Sequence, residues 1–165
     1  MRRRHPEPHV WLLTDPRLGS DLLEIVRRLP RGSGVVFRHH ELAPAERQAL
    51  LRRIRRIAAA RQLRVVDDTD GRVARVHSAR ELRRELPRRP ELLFLSPMFE
   101  TRSHPGWRPQ ARMRASALVR LAGRPVLALG GVTARRFLRI KALGFAGWGG
   151  IDAWVSPAAR GPSRE

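Results

Sequence analysis

The chain has 165 residues, a formal net charge of +19 at pH 7 and no cysteine. Its length is typical of one hydrophobic core, and 42% hydrophobic with 30% charged residues suits a folded domain. The absence of cysteine excludes disulfides, thiolate metal sites and cysteine nucleophiles. No apolar run reaches the roughly 18 residues of a membrane span or resembles a signal peptide, so we expect no membrane partner and a cytoplasmic location.

The basic residues are distributed along the whole chain. All but one of the 34 lysine and arginine residues are arginine. Proteins that bind nucleic acids gather such charge into one patch with interleaved aromatic residues. Here even the arginine cluster at 52–56 shares its segment with Ile54 and Ile57 at helical spacing, which indicates a solvated helix face. We therefore expect no nucleic-acid partner, although the charge can steer anionic metabolites toward the protein.

In the first half of the chain, short apolar runs alternate with longer helical patterns. Pro44 falls in the first turn of the strongest helical pattern, where its missing N–H costs no hydrogen bond. The predicted elements are a strand at 10–14, a helix capped by Ser20 or Asp21, a strand at 34–37, a helix at 44–61 and a strand at 63–66.

The second half repeats this alternation. Ser78 is a predicted N-cap of a short helix. The further predicted elements are a strand at 92–95, a helix at 112–121, a strand at 125–129, a helix at 134–143 and a strand at 145–151. The predicted organisation is a flexible leader at 1–9, a single α/β domain at 10–154 and a disordered tail at 155–165.

Strands that alternate with helices predict parallel β–α–β units, because parallel strands need long connections. The residues that follow the predicted strands are polar or glycine. In a barrel these positions share one rim, which is where the active sites of such barrels lie, whereas in a flat sheet they would be spread along an edge. We therefore predict a TIM-barrel-like α/β fold rather than a doubly wound sheet. The residues in question are Asp15, Arg38, Asp68, Thr101, Gly130 and Asp152.

The loop that follows the strand at 92–95 has residues suited to phosphate. It contains Thr101, Ser103 and His104, whose hydroxyl and imidazole groups can donate hydrogen bonds to phosphate oxygens. The alternative is a hydrophilic loop in which serine and threonine cap their own backbone. These two interpretations stay open on the residues alone.

Two glycine pairs near the last two predicted strands suggest a second phosphate-binding feature. Gly130-Gly131 and Gly149-Gly150 let the backbone approach an anion closely. Barrel enzymes often bind phosphate between the loops after their last two strands. Tight turns also use glycine, so either pair by itself is ambiguous.

Charged side chains follow three of the predicted strands. Asp68, the second of two adjacent aspartates, is a candidate Mg²⁺ ligand, although Asp70-Gly71 nearby favours a turn. Arg38 and His40 are candidates for a cationic wall. His77 is a candidate for proton transfer, because histidine titrates near neutral pH.

Taken in order, these segments resemble thiamine phosphate synthase and its relative, the thiazole tautomerase. The loop Leu95 to His104 resembles the family's Gly-Pro-x-Phe-x-Thr-x-Ser/Thr-Lys motif, and Pro125 to Val132 resembles Pro-Val-x-Ala-x-Gly-Gly-Ile. The other matching segments are Trp11 to Asp15, Val36 to His40, Val65 to Asp68 and Val76 to Ser78.

The resemblance implies a reaction that joins a hydroxymethylpyrimidine diphosphate to a thiazole phosphate and releases pyrophosphate, with Mg²⁺ as cofactor. It implies that Arg38 holds pyrophosphate and that Asp68 ligates Mg²⁺. It implies phosphorylated small-molecule substrates, contacted by His40, His104, Thr101, Ser103, Gly130, Gly131, Gly149 and Gly150.

The chain departs from the family pattern in two respects. The family's two lysines are His40 and His104 here, and a histidine supplies less dependable charge at pH 7. Only eight residues separate Asp68 from His77, too few for the family's fourth strand, its magnesium aspartate and two helices. Residues 64–76 either form a hairpin through Asp70-Gly71 or separate parallel strands. The barrel is expected to be open, and an open edge favours association of copies.

Three hypotheses follow. The first is a synthase-like transferase in which Arg38, His77 and His104 are catalytic. The second is a metal-independent thiazole tautomerase or a non-catalytic phosphate binder, because Phe99-Glu100-Thr101 and His77 resemble the tautomerase and no second metal ligand remains. The third, based on charge alone, is a nucleic-acid-binding protein.

Overall fold

The computed structural model describes residues 7–101 and 105–155. The predicted site residues Ser103 and His104 lie outside these ranges, as do most of the predicted leader and tail. No helix within these ranges is long and apolar enough to cross a membrane.

The described residues alternate between strands and helices, as predicted. The strands are β1 (Val10–Leu13), β2 (Gly34–Phe37), β3 (Arg64–Asp67), β4 (Val73–Val76), β5 (Leu92–Leu95), β6 (Leu127–Ala128) and β7 (Gly147–Gly150). The α-helices are α1 (Leu22–Arg28), α2 (Pro44–Arg61), α3 (Ala79–Glu85), α4 (Arg112–Ala122) and α5 (Ala134–Leu138).

Local sequence explains where most of these helices begin and end. Pro44 opens α2, and Gln62 ends it in the left-handed conformation at φ 56°. The Ser78 hydroxyl accepts a hydrogen bond from the Glu81 N–H, which confirms it as the N-cap of α3. Neither predicted cap makes such a bond at α1, where a 3₁₀ turn at Pro16–Asp21 precedes the helix.

The strands form one parallel sheet in the order β3-β2-β1-β7-β6-β5-β4, which curls into a nearly closed barrel. This confirms the predicted TIM-like α/β fold, with seven strands in place of the usual eight. β3 and β4 are the two ends of this order and are not hydrogen-bonded to each other. The gap between them is called the seam below.

Of the two alternatives left open for residues 64–76, the structure has separate parallel strands and not a hairpin through Asp70-Gly71. β3 pairs with β2 and β4 pairs with β5, both in parallel. Because β3 and β4 run in the same direction, residues 68–72 must return the chain from the carboxyl end of β3 to the amino end of β4. A four-residue strand is only about 13 Å long. The connection back along it consists of a single 3₁₀ turn at Asp68–Asp70 followed by two residues, with no α-helix.

The barrel interior is filled with apolar side chains. Trp11 and Leu13 of β1 point inward, while Leu12 between them packs outward against the helices. Trp11 is fully buried, and its indole N–H donates to the Pro8 carbonyl at 2.8 Å. A ligand therefore has to bind at the rim. The buried interior residues are Trp11, Leu13, Val36, Val66, Leu92, Phe94 and Leu127.

Candidate functional site

The carboxyl ends of β1 and β2 place Asp15 and Arg38 side by side at the rim. The buried Thr14 hydroxyl accepts a hydrogen bond from the Arg38 backbone N–H at 2.9 Å, which ties the two strand ends together. Asp15 Oδ2 lies 3.8 Å from Arg38 Nη1. Burial raises the pKa of the Asp15 carboxyl, but hydrogen bonds from Arg17 outweigh it and the pKa is lowered. Asp15 is thus an ionised partner for the cations around it.

Arg38 is a partly accessible cation that is surrounded by other charged side chains. About a third of its side chain (31%) is exposed. Burial and the charge of Arg75 lower the pKa of Arg38, whereas Asp15 and Asp68 oppose that change. Arginine stays charged in proteins, so the important result is that a second guanidinium, Arg75, acts on the same site.

Asp68, the predicted metal ligand, is engaged by two basic side chains. Its side chain is only 5% exposed, and its Oδ2 atom accepts a hydrogen bond from Arg75 Nη2 at 2.6 Å and lies 3.1 Å from His40 Nε2. His39, in contrast, is buried and lies 2.9 Å from Glu41. Within residues 7–101 and 105–155, no group of three or more histidine or carboxylate side chains could hold a metal. Mg²⁺ can take most of its octahedron from water and substrate, but it needs a carboxylate oxygen that is open to it, and Asp68 Oδ2 is already occupied by Arg75 and His40. This arrangement of residues does not fit Mg²⁺.

Asp67 has a structural role that the sequence did not indicate. Its two carboxylate oxygens accept hydrogen bonds from Arg47 of α2 at 2.5 and 2.9 Å, and Thr69 donates to it from both its backbone and its hydroxyl. The Arg47 guanidinium also lies 4.7 Å from the centre of the Phe37 ring. The hydrogen bonds from Arg47 hold the pKa of Asp67 well below its usual range. This pair anchors α2 to the end of β3.

His77, at the end of β4, is held by a carboxylate. Its Nδ1 atom lies 2.9 Å from Glu81 Oε2, which also accepts a hydrogen bond from the His77 backbone N–H at 2.7 Å. Burial raises the pKa of Glu81, but the His77 hydrogen bonds outweigh it and the pKa is lowered. The ring packs edge-on against Trp107 at 5.0 Å. A carboxylate on Nδ1 orients the imidazole and leaves Nε2 for proton transfer.

The loop after β5 lies directly on Gly130 and Gly131. The Met98 and Phe99 N–H groups donate to the carbonyls of Leu129 and Gly130 at 2.9 and 3.0 Å. A Cβ atom on Gly131, which has φ +61°, would lie 2.2 Å from the Glu100 carbonyl. These glycines therefore permit close packing of the loop that carries Thr101. Their predicted role in binding phosphate stays a prediction.

The second glycine pair lies within and at the end of β7. A Cβ atom on Gly149 would lie 2.7 Å from Leu13 Cδ1 and 2.9 Å from Phe94 Cε1, so interior packing requires this glycine. Gly150 lies at the rim end of the strand, where an added Cβ would be 3.2 Å from the Val132 carbonyl. Of the pair, Gly150 is the better placed to approach a ligand.

Four contact residues were not predicted from the sequence. Three of them make their contacts across a long chain separation or on an element with no motif, so no local pattern distinguishes them. Glu81 is the exception, since its four-residue spacing from His77 at a helix start is visible in the sequence. The four residues are Arg47, Arg75, Glu81 and Trp107.

The fold defines the class of the protein as an α/β barrel, and Arg38 and Arg75 lie toward the carboxyl ends of its strands. A solved structure with this fold is thiamine phosphate pyrophosphorylase from Pyrococcus furiosus, at a TM-score of 0.78 and 16% identity, over 94% of this chain and 92% of that one. This likeness confirms the fold that the sequence resemblance implied. Two structures of FabK from Thermotoga maritima align at TM-scores of 0.43 and 0.44 and 18% identity, over 93% of this chain and 46% and 44% of theirs. No family model and no curated protein matches the sequence.

Proposed function

We propose that the protein is a transferase of the thiamine phosphate synthase type. It joins a hydroxymethylpyrimidine diphosphate to a thiazole phosphate and releases pyrophosphate. The observation that carries this proposal is the position of Arg38 at the rim of this barrel, where Thr14 holds its backbone N–H and its partly exposed guanidinium lies 3.8 Å from Asp15. The likeness to a thiamine phosphate pyrophosphorylase over nearly the whole chain supports it.

The chemistry requires a cation at the leaving group. The carbon–oxygen bond between the pyrimidine methylene and the diphosphate breaks, and pyrophosphate leaves with the electron pair. The thiazole nitrogen then forms the new bond to the methylene carbon, and no proton moves. We expect Arg38 to stabilise the charge that develops on the pyrophosphate, which is the usual role of a positioned donor in such a step.

Purified protein with both substrates is expected to form thiamine phosphate, measured by chromatography against heat-inactivated protein. Arg38→Gln should lower kcat/KM by about 100-fold or more, because it removes the cation at the leaving group. Arg27→Gln is the matched control, since Arg27 is an exposed arginine of α1 paired with Glu24. Product formation no higher than in the inactivated sample would refute the transferase.

A second candidate, the metal-independent thiazole tautomerase, is favoured by the His77–Glu81 pair. A tautomerase removes a proton from one atom of its substrate and returns one to another, which an oriented imidazole can do. The measurement is exchange of solvent deuterium into thiazole phosphate, followed by NMR. His77→Asn should abolish the exchange, and Glu81→Gln should slow it by about 10-fold to 100-fold.

The control for this test is His9→Asn, because His9 is an exposed histidine whose Nδ1 contacts the Ala146 carbonyl beyond the amino end of β7. It should exchange deuterium at the wild-type rate. Exchange that persists in His77→Asn, or that is absent from the wild type, would rule out this candidate.

A further inference from the structure

Arg75 occupies the seam at the point where the barrel lacks a strand. Val73 packs against the interior cluster, whereas Ala74 and Val76 pack outward beneath the helices. The alternation along β4 therefore turns Arg75 inward. Its guanidinium reaches across the seam to Asp68, which follows β3, and about a third of the side chain (30%) stays exposed.

This contact gives Asp68 a guanidinium as its counter-ion. One oxygen of the nearly buried Asp68 carboxylate, Oδ2, contacts both Arg75 and His40. A metal ion at this carboxylate would lie beside the positive charge of Arg75, and no second carboxylate in the described ranges joins Asp68 in a metal-binding group. The seam thus supplies a fixed cation at the place where the family resemblance implied Mg²⁺.

The rim gathers several charged side chains around Arg38. The groups that act on Arg38 are the guanidinium groups of Arg75 and Arg17 and the carboxylates of Asp15 and Asp68. Because Arg17 also lies 3.6 Å from Asp152, three guanidinium groups are balanced by three carboxylates, and Arg38 and Arg75 are the two cations of this group that adjoin the seam. Arg38 and Arg75 are each about one third exposed, at 31% and 30%, and they lie close enough for the charge of Arg75 to lower the pKa of Arg38.

We propose that Arg75 replaces the metal ion at this rim, so that Arg38 and Arg75 together bind a diphosphate group without Mg²⁺. Guanidinium groups suit this role because their planar N–H pairs bind phosphate oxygens bidentately and keep their charge. The proposal deepens the proposed function, because it names the group that neutralises the leaving pyrophosphate. Asp68 acts as a positioning residue that aims Arg75 across the seam.

The test is calorimetric titration with inorganic pyrophosphate, with EDTA and again with Mg²⁺ in excess. The wild type is expected to bind in EDTA, and Arg75→Gln should bind about 10-fold to 100-fold more weakly because it loses a charge-assisted contact. Arg75→Lys should keep part of the affinity. Arg72→Gln is the matched control, because Arg72 is a half-exposed arginine that pairs with Glu91 rather than Asp68. Binding that requires Mg²⁺, or an Arg75→Gln variant that binds like the wild type, would overturn the proposal.

Asp68→Asn distinguishes a counter-ion from a metal ligand by the sign of its effect. If Asp68 balances Arg75, Asp68→Asn removes the competing negative charge while its amide oxygen can still accept the hydrogen bond that positions Arg75, so pyrophosphate binding in EDTA should tighten at least about threefold. If Asp68 holds Mg²⁺, the same variant should weaken binding and remove its dependence on Mg²⁺. This nearly isosteric change also decides the matter if Arg75→Gln does not fold, which thermal unfolding would reveal.

The two proposals fail in different ways. Binding without Mg²⁺ but no formation of thiamine phosphate would leave the site assignment standing and refute the transferase. Thiamine phosphate formed only with Mg²⁺ would leave the transferase standing and refute the role of Arg75.

Discussion

Asp67→Ala is expected to lower the free energy of unfolding by about 3–5 kcal/mol, as measured by urea denaturation. The side chains of Arg47 and Asp67 are only 14% and 9% exposed, so the variant leaves a largely buried guanidinium without its carboxylate. It also removes the acceptor of the Thr69 N–H and hydroxyl. An unfolding free energy within 1 kcal/mol of the wild type would show that the pair does not anchor α2.

The same pair predicts a dependence of stability on acid. Hydrogen bonds from Arg47 lower the pKa of Asp67 from its ordinary value of 3.8. A carboxyl whose pKa is lower in the folded state contributes stability that is complete above the unfolded pKa and is lost as the pH falls toward the folded pKa. Wild type should therefore lose its advantage over Asp67→Asn below about pH 4. Glu46→Gln, which changes an exposed carboxylate of α2, should instead follow the wild-type curve.

The elements that could be predicted accurately are those with strong local signals. The predicted bounds of β2 and α2 agree with the structure, because a continuous apolar run and a long periodic segment opened by proline admit few alternatives. The helix predicted at 134–143 ends instead at Leu138, and the fully buried Ile140 follows it. A 3₁₀ turn at Lys141–Leu143 then continues the segment, and no helix-breaking residue before Gly144 signals this change.

The site could be predicted only in part. Local sequence patterns identify several of its residues, but the residues that they contact are distant in the sequence. Arg38, Asp68 and His77 lie at strand ends, which the pattern of apolar runs reveals. Whether Asp68 binds a metal ion or a guanidinium group depends on the orientation of Arg75. That orientation follows from the register of β4 against β5. The sequence also allowed a hairpin, in which that register would differ. The Mg²⁺ expectation therefore depended on a pairing that local sequence does not determine.

Gly34→Ala is expected to destabilise the barrel by about 3 kcal/mol or more, at the upper end of the usual cost of overpacking. A Cβ atom at this position would lie 2.1–2.4 Å from three ring atoms of Trp11. That ring is fully buried, and it is enclosed by the interior side chains of the neighbouring strands. It cannot move aside without displacing them, so the cost should appear in full as a lower free energy of unfolding.

A double-mutant cycle with Trp11→Leu tests whether the indole causes this cost. The smaller side chain should accommodate the new methyl group, so the double variant should be more stable than the sum of the single effects by at least about 1 kcal/mol. Gly32→Ala is the control, because Gly32 has φ +78° and no atom within 4 Å of an added Cβ. Its cost should be backbone strain of about 1 kcal/mol and should be unchanged by Trp11→Leu. Additive effects at Gly34 would mean that Trp11 does not fill the interior. Ligand binding would then not be confined to the rim.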